Sequence, residues 1–405
     1  MKPLRKILLG DAVTSAQRLP LAKRLLRQIK VGNPAYRRKA ISLADGSQIF
    51  VSTAPFGDKI IINSVFGEFY LIDSGQHRVL VLGLDGTPKY QFGSYGSGPG
   101  EFMAPRWVMR YENKVYVADQ GNQRIQVFTT SGQYLESHDL GFYPFDFDIA
   151  EGYIAVTGNW ATEIGVKVFD LSFNEVFTKK NGANFPASVI PFGEVYTPLD
   201  EFYNGVFSIA IGGGKIYVGT NVLIRYTEWT VVNCIKVLTP ATGDVEYVWY
   251  PSMTERIDYP GFNYRNSSIE AMAYYAGRLY FTQLPSASLY ADTVFITSET
   301  GTGLQVIKTF GLQAQSIEDE TDDKFHYQTS LYFGTRSIAV GDGYILVGEA
   351  GSNPDTIPDA TTLSDRDRSM DRIKVFDGNG NFIRNFGRAG DGPGEWRRSF
   401  GCFFK

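Results

Sequence analysis

Histidine and cysteine are scarce in this 405-residue chain: three of the first and two of the second. Two cysteines, Cys234 and Cys402, make no disulfide framework. Three scattered histidines, His77, His138 and His326, do not supply the three or so converging ligands that a catalytic zinc needs. No apolar run approaches ~18 residues, which excludes a membrane-spanning helix. No secretion signal is expected from the first residues. In MKPLRKILLGDAV the apolar run Ile7-Leu8-Leu9 is too short for an h-region, and Asp11 follows at once. The expected location is therefore cytoplasmic or within a virion. No G-x-S-x-G elbow and no H-E-x-x-H pair occurs, so the familiar hydrolase signatures are absent. No cofactor and no metal is expected, and the chain reads as a non-enzyme.

Acids are almost missing from the first 40 residues. That segment holds eleven Lys or Arg against Asp11, so an arm near +10 precedes a body near −14 in a chain of net charge −4. An acidic body argues against a nucleic-acid partner. Within the arm, Leu21, Leu25, Leu26 and Ile29 fall on one helical face, and Lys23, Arg24, Arg27 and Lys30 cover the other. Gly32 and Pro34 end that pattern. The spacing predicts a short amphipathic helix in a basic anchoring arm, residues 1–40. Its docking surface is the chain's own body, a neighbouring subunit, giving an oligomer, or a membrane surface.

What the sequence has in abundance is glycine and aromatic residues: 43 Gly, 24 Tyr and 29 Phe. That composition suits many short strands joined by tight turns. Internal repeats then fix the class. Residues 68–90 read EFYLIDSGQHRVLVLGLDGTPKY, residues 114–134 KVYVADQGNQRIQVFTTSGQY, and residues 371–384 DRIKVFDGNGNFIR. Apolar residues alternate along each strand, as Val115 with Val117 and Ile125 with Val127. A loop also recurs, GSYGSGPGEF at 93–102 and GRAGDGPGEW at 387–396. It lacks the Lys-Ser/Thr ending of a phosphate-binding P-loop and reads as a connector between repeats.

VYVADQGNQRIQVF resembles the NHL repeat, with Asp119, Asn122 and Arg124 at its polar turn and Asp73 and Arg78 at the matching places one repeat earlier. The resemblance implies an all-β, six-bladed β-propeller of four-stranded antiparallel blades spanning 41–405. Six hairpin turns mark the blades: Phe66-Gly67-Glu68, Glu112-Asn113-Lys114, Glu151-Gly152-Tyr153, Gly213-Gly214-Lys215, Ala276-Gly277-Arg278 and Asp342-Gly343-Tyr344. The closing RRSFGCFFK follows GPGEW as MAPRWV follows GPGEF. Phe400–Phe404 is therefore expected to return to the first blade and latch the ring.

The long insertions, residues 181–204, 250–266, 311–335 and 349–371, all belong to connections that emerge on one face. They carry Phe185, Phe192, Tyr196, Phe202, Tyr203, Tyr259, Phe262, Tyr264, Phe325 and Tyr327 among acidic runs. Long loops on a rigid scaffold commonly carry function, and such aromatics suit protein contact. The leading expectation is a structural or protein-interaction module of a larger assembly, such as a phage tail or collar component. Two alternatives come with the resemblance and the aromatic face. Some related propellers are lyases or lactonase-like hydrolases with zinc or calcium in the channel, where Asp146 and Asp148 lie near an inner strand. The aromatic face also suits a carbohydrate or other surface ligand.

Overall fold

The computed structural model of the chain describes residues 39–42, 48–53, 60–64, 68–83, 86–160, 163–180, 203–225, 229–249, 268–284, 292–300, 303–312, 334–350, 372–387 and 402–404. The chain divides into two compact units, 1–67 and 68–405. In the first, strands β1 (Lys39–Ser42), β2 (Gln48–Thr53) and β3 (Ile60–Ser64) form one antiparallel sheet in the order β1-β2-β3.

The second unit is a six-bladed propeller of four-stranded antiparallel sheets. Blade 1 contains β4 (Glu68–Asp73), β5 (Arg78–Gly83) and β6 (Pro88–Phe92). Blade 2 is β7 (Pro105–Tyr111), β8 (Lys114–Asp119), β9 (Arg124–Thr129) and β10 (Tyr134–Asp139). Blade 3 is β11 (Tyr143–Ala150), β12 (Tyr153–Trp160), β13 (Glu163–Asp170) and β14 (Glu175–Lys180). Blade 4 is β15 (Tyr203–Gly212), β16 (Lys215–Arg225), β17 (Trp229–Leu238) and β18 (Val245–Trp249). Blade 5 is β19 (Ser268–Tyr275), β20 (Arg278–Leu284), β21 (Asp292–Thr300) and β22 (Gly303–Leu312). Blade 6 is β23 (Gly334–Gly341), β24 (Tyr344–Ala350), β25 (Arg372–Asp377) and β26 (Phe382–Phe386).

The innermost strand of blade 1 comes from the far end of the chain. β27 (Cys402–Phe404) pairs antiparallel with β4, Cys402 opposite Leu71 and Phe404 opposite Phe69. Of the latch expected at Phe400–Phe404, Cys402–Phe404 forms the pairing strand, and residues 400 and 401 lie outside the described residues. The hairpin read at Phe66-Gly67-Glu68 is corrected by the same pairing. β27 takes the inner edge of β4, and β3 pairs with β2 instead. The ring then closes, with contacts running β7, β11, β15, β19, β23, β27 and back to β7. Pairing with β27 covers the inner edge of β4, and the propeller is left with only the short outer edges of its blades.

Period-two alternation sends side chains to two buried faces, because each blade is packed on both sides. Phe69 and Leu71 join Leu346, Ile373 and Val375 of blade 6, whereas Tyr70 and Ile72 join Val108, Val115 and Val117 of blade 2. All four of those β4 side chains are fully buried. Each large apolar side chain removed from water contributes ~1.5–3 kcal/mol.

The turns between first and second strands are two-residue hairpins. In Glu151-Gly152, Gly213-Gly214, Ala276-Gly277 and Asp342-Gly343 both residues have positive φ, the geometry of the type I′ turn. Neighbouring blades are clasped at this plain face. The Glu151 carboxylate accepts the amides of Gly213 and Gly214, each at 2.9 Å. Glu299 of blade 5 accepts Tyr217 and Tyr247 hydroxyls at 3.0 and 2.6 Å and pairs with Lys215 at 2.9 Å, all from blade 4.

Candidate functional site

The blades share a defect in their inner strands. Pairing with the second strand skips one residue between Pro105 and Trp107, Pro144 and Asp146, Val206 and Ser208, Ile269 and Ala271, and Thr335 and Ser337. The step is equivalent in all five blades. Two residues beyond each bulge, Val108, Phe147, Ile209, Met272 and Ile338 face Val117, Val156, Val218, Phe281 and Val347. A bulge leaves its extra residue unpaired and re-aims the side chain. The residues so displaced are Arg106, Phe145, Phe207, Glu270 and Arg336, all half-buried. They stand at the start of each inner strand, at the channel mouth on the face that receives the long connections.

Three of these side chains converge. The Arg336 Nη1 pairs with Glu270 Oε2, with side-chain exposures of 17% and 8%. The Arg106 guanidinium lies over the Phe145 ring, 4.8 Å from its centroid, a cation–π arrangement. Burial depresses the pKa of Arg106, the Glu270 carboxylate opposes that shift, and Arg336 adds to it. Blades 2, 5 and 6 therefore bring their charges to one place near the axis.

Just inside the mouth lies Asp146, 2% exposed. Its Oδ2 accepts the Ile209 amide of blade 4 at 3.0 Å, while Oδ1 has no hydrogen-bond partner. Burial pushes this carboxyl well above the usual range. The amide of Ile209 opposes the shift, Asp148 reinforces it, and the Phe147 amide and Arg106 oppose it in turn. Asp148, two residues on, accepts Ile211 of blade 4 at 2.7 Å and its neighbour Ile149 at 2.8 Å. Ser208 of blade 4 donates to the Ile269 carbonyl of blade 5 at 2.8 Å. The acids singled out as channel candidates thus tie inner strands together. Among the described residues no group of three or more His, Cys, Asp or Glu gathers at metal-binding range.

Further down, the channel holds a cavity of about 130 Å³ between blades 2 to 6. Its wall is largely apolar, with Trp107, Met109, Phe147, Ile209, Met272 and Ile338, and Asp148 adds the carboxylate.

The acid–arginine pair of the repeats forms as the sequence suggests. Arg78 Nε meets Asp73 Oδ2, and Arg124 Nε meets Asp119 Oδ2, each at 2.8 Å. Sequence reasoning missed the third copy. Arg372 Nε meets Glu349 Oε2 at 2.5 Å, in the same register, with residues 351–371 in place of a tight turn. The signal was the shared R-I-x-V-F of Arg372–Phe376 and Arg124–Phe128.

The connector GSYGSGPGEF is spent on structure. Gly96 and Phe102 amides bond across the loop, Gly98 donates to Glu101 Oε2 at 2.8 Å, and Gly100 donates to Gln126 at 2.9 Å. Arg124 Nη2 holds the carbonyls of Gly98 and Glu101 at 2.9 and 3.0 Å. The histidines are also in structural positions. His77 Nδ1 accepts the Ala104 amide at 3.1 Å, and His138 stacks on Phe173 at 3.6 Å. The contact aromatics Phe185, Phe192, Tyr196, Phe202, Tyr259, Phe262, Tyr264, Phe325 and Tyr327 lie outside the described residues, as do His326 and the arm residues Leu21 to Lys30. Tyr203 opens β15.

A 6-bladed beta-propeller family matches residues 56–160 of the chain. No curated protein matches it. Among solved structures, it is similar to a protein of unknown function from Bacteroides caccae, at 8% identity and TM-score 0.48, over 84% of this chain and 98% of that one. It is also similar to a functionally unknown protein from Desulfotomaculum acetoxidans, at 12% identity and TM-score 0.45, over 83% and 98% of the two chains. Apo AztD from Citrobacter koseri aligns at 11% identity and TM-score 0.42, over 84% and 97%.

Proposed function

We propose that this chain is a non-catalytic propeller that serves as an interaction module of a larger protein assembly and meets its partner through the loop-bearing face. The asymmetry between the two faces carries this reading. On the plain face, consecutive strands are joined by turns of a few residues, and those turns are clasped blade to blade. On the other face, β14 to β15, β18 to β19, β22 to β23 and β24 to β25 are joined by residues 181–202, 250–267, 313–333 and 351–371. Selection for stability alone would favour short connections on both faces, since connections in compact domains have a median of about 4–6 residues. The channel carboxylates support the non-catalytic part, because Asp146 and Asp148 each accept an amide of the adjacent blade. The recurrent acid–arginine pair supports an NHL-like origin of blades 1, 2 and 6. A phage tail or collar is one assembly that this reading suits, with residues 1–40 as anchor.

The test is native mass spectrometry of the tagged chain drawn from its own source. The intact chain is expected in a particle of fixed stoichiometry. Replacing 250–267 and 351–371 with short Gly-Ser links is expected to release it as a free, folded propeller. Retention of the loop-replaced chain at unchanged stoichiometry would refute the reading.

A further inference from the structure

We propose that the cavity in the central channel is a binding site for a small uncharged aromatic molecule, of the size of a single benzene ring, entering from the plain face. The site is built by the inner strands of blades 2 to 6 and shares no residue with the long loops, so it stands or falls separately from their contact role.

The cavity originates in the sequence of the inner strands. Val108, Phe147, Ile209, Met272 and Ile338 hold one level of the ring, and the next residues along are Met109, Asp148, Ala210, Ala273 and Ala339. In a six-bladed ring blade 2 stands opposite blade 5, and blade 3 opposite blade 6. Met109 is thus answered by Ala273, and Asp148 by Ala339, all four in the cavity wall. A single methyl on one side of the axis, where the other side has a longer side chain, leaves space between them. Close-packed interiors seldom leave voids larger than a water molecule. The space here is about 130 Å³, close to the roughly 150 Å³ of an apolar cavity that takes up benzene.

The two ends of the cavity differ. Phe147, Ile209, Met272 and Ile338 are at most 3% exposed and close the inner end. Ala150, Tyr274, Tyr275 and Val340 are half-buried and lie within two residues of the turns at Glu151-Gly152, Ala276-Gly277 and Asp342-Gly343. The cavity therefore opens on the plain face, where those turns lie. Tyr274 is fixed at this end by stacking on Tyr217, with ring centroids 5.7 Å apart.

The chemistry of the wall selects the guest. Among the described residues the wall holds no Lys, Arg or His, and Asp148 is its one charged group. That carboxylate already accepts the Ile211 and Ile149 amides at 2.7 and 2.8 Å. An anion would give up its hydration to face a carboxylate, and a cation would compete with the two amides that the carboxylate holds. A neutral ring instead leaves water for a wall of its own character. Met109 and Met272 supply flexible thioethers, which follow a guest's outline and make favourable sulfur–aromatic contacts. Those sulfurs and the compact volume favour an aromatic ring over a longer aliphatic chain.

Fluorobenzene titrated into the full chain, followed by fluorine NMR and by thermal shift, tests this. It is expected to bind saturably and to raise the melting temperature with concentration. Benzoate and benzylammonium are each expected to bind about tenfold more weakly or worse. Ala273→Leu and Ala339→Leu extend side chains into the space from the side that carries methyls. Each is expected to weaken fluorobenzene by about tenfold or more. Met109→Ala enlarges the space from the opposite side. It is expected to shift preference from fluorobenzene towards the larger indole by about tenfold, a change in selectivity that loss of structure does not produce. No saturable response to fluorobenzene, equal binding of the charged rings, undiminished binding by both leucine variants, or unchanged selectivity in Met109→Ala would overturn the proposal.

Discussion

Asp119→Ala isolates a densely bonded acid of the propeller. Asp119 is fully buried. Its Oδ1 accepts the Met103 amide at 2.7 Å, and its Oδ2 accepts Arg124 Nε and Asn122 Nδ2 at 2.8 Å and Gln126 Nε2 at 3.1 Å. Truncation leaves a guanidinium whose side chain is only 11% exposed without that counter-charge. Breaking a buried ion pair from one side costs about 3–5 kcal/mol, because the surviving charge stays in the interior. The connector carbonyls of Gly98 and Glu101 remain bound to Arg124 and offset part of this, so we place the loss near 3 kcal/mol, at the low end of that range. Removing both partners, Asp119→Ala with Arg124→Met, spares the orphaned charge. It is expected to cost no more than the single change, a coupling of roughly 2 kcal/mol or more. Urea unfolding followed by tryptophan fluorescence reads this out, since Trp107 is a buried residue of the same blade. The midpoint is expected to fall with an unchanged slope. A single-variant loss below about 1 kcal/mol, or strict additivity in the double variant, would refute the reasoning.

Three further outcomes follow. Burial raises the Asp146 carboxyl in the folded state, so its contribution is fully present below the unfolded pKa near 3.9 and is lost as pH rises through the folded value. Asp146→Asn is therefore expected to melt like the natural chain at pH ~4 and above it at pH ~8, and parallel melting curves would exclude a raised pKa. Glu299 goes the other way: burial pushes it up, but hydrogen bonds from Tyr247, Lys215 and Tyr217 outweigh that and hold it below the usual range. Glu299→Gln is expected to lose about 1–3 kcal/mol at pH 7, with the gap to the natural chain closing as pH falls below ~4, measured by denaturation across pH. Deleting residues 402–405 strips the inner edge from β4, and calorimetry is expected to show a lower and broader transition; an unchanged one would mean that the latch adds nothing to closure.

The fold was largely legible because strand period, Gly turns and repeats are local signals. The repeats gave blades 1, 2 and 6 by motif, and the two-residue turns placed the others. The inner edge of blade 1 was not local. Ile60–Ser64 and Cys402–Phe404 both read as apolar strands, and only the alignment of GPGEW with GPGEF favoured the second. The mouth ring was invisible in sequence for a different reason. A bulge residue carries no pattern of its own, so Arg106, Glu270 and Arg336 read as ordinary polar positions until pairing register aligned them. Asp146 and Asp148 were visible as acids near a channel. Their service to the Ile209 and Ile211 amides depends on how blades 3 and 4 abut, which no single strand encodes.

The latch also sets a clock on synthesis. β4 to β6 leave the ribosome early, but the strand that completes their sheet follows Phe92 by roughly 310 residues, about 15–60 s at typical elongation rates. Throughout that interval the first blade lacks its inner neighbour, and the sixth has none to close against. The nascent chain therefore presents a pairing-competent strand to every other nascent chain on the same message. Crowded polysomes, rather than the finished ring, are where this protein is most exposed to exchanging blades with its copies.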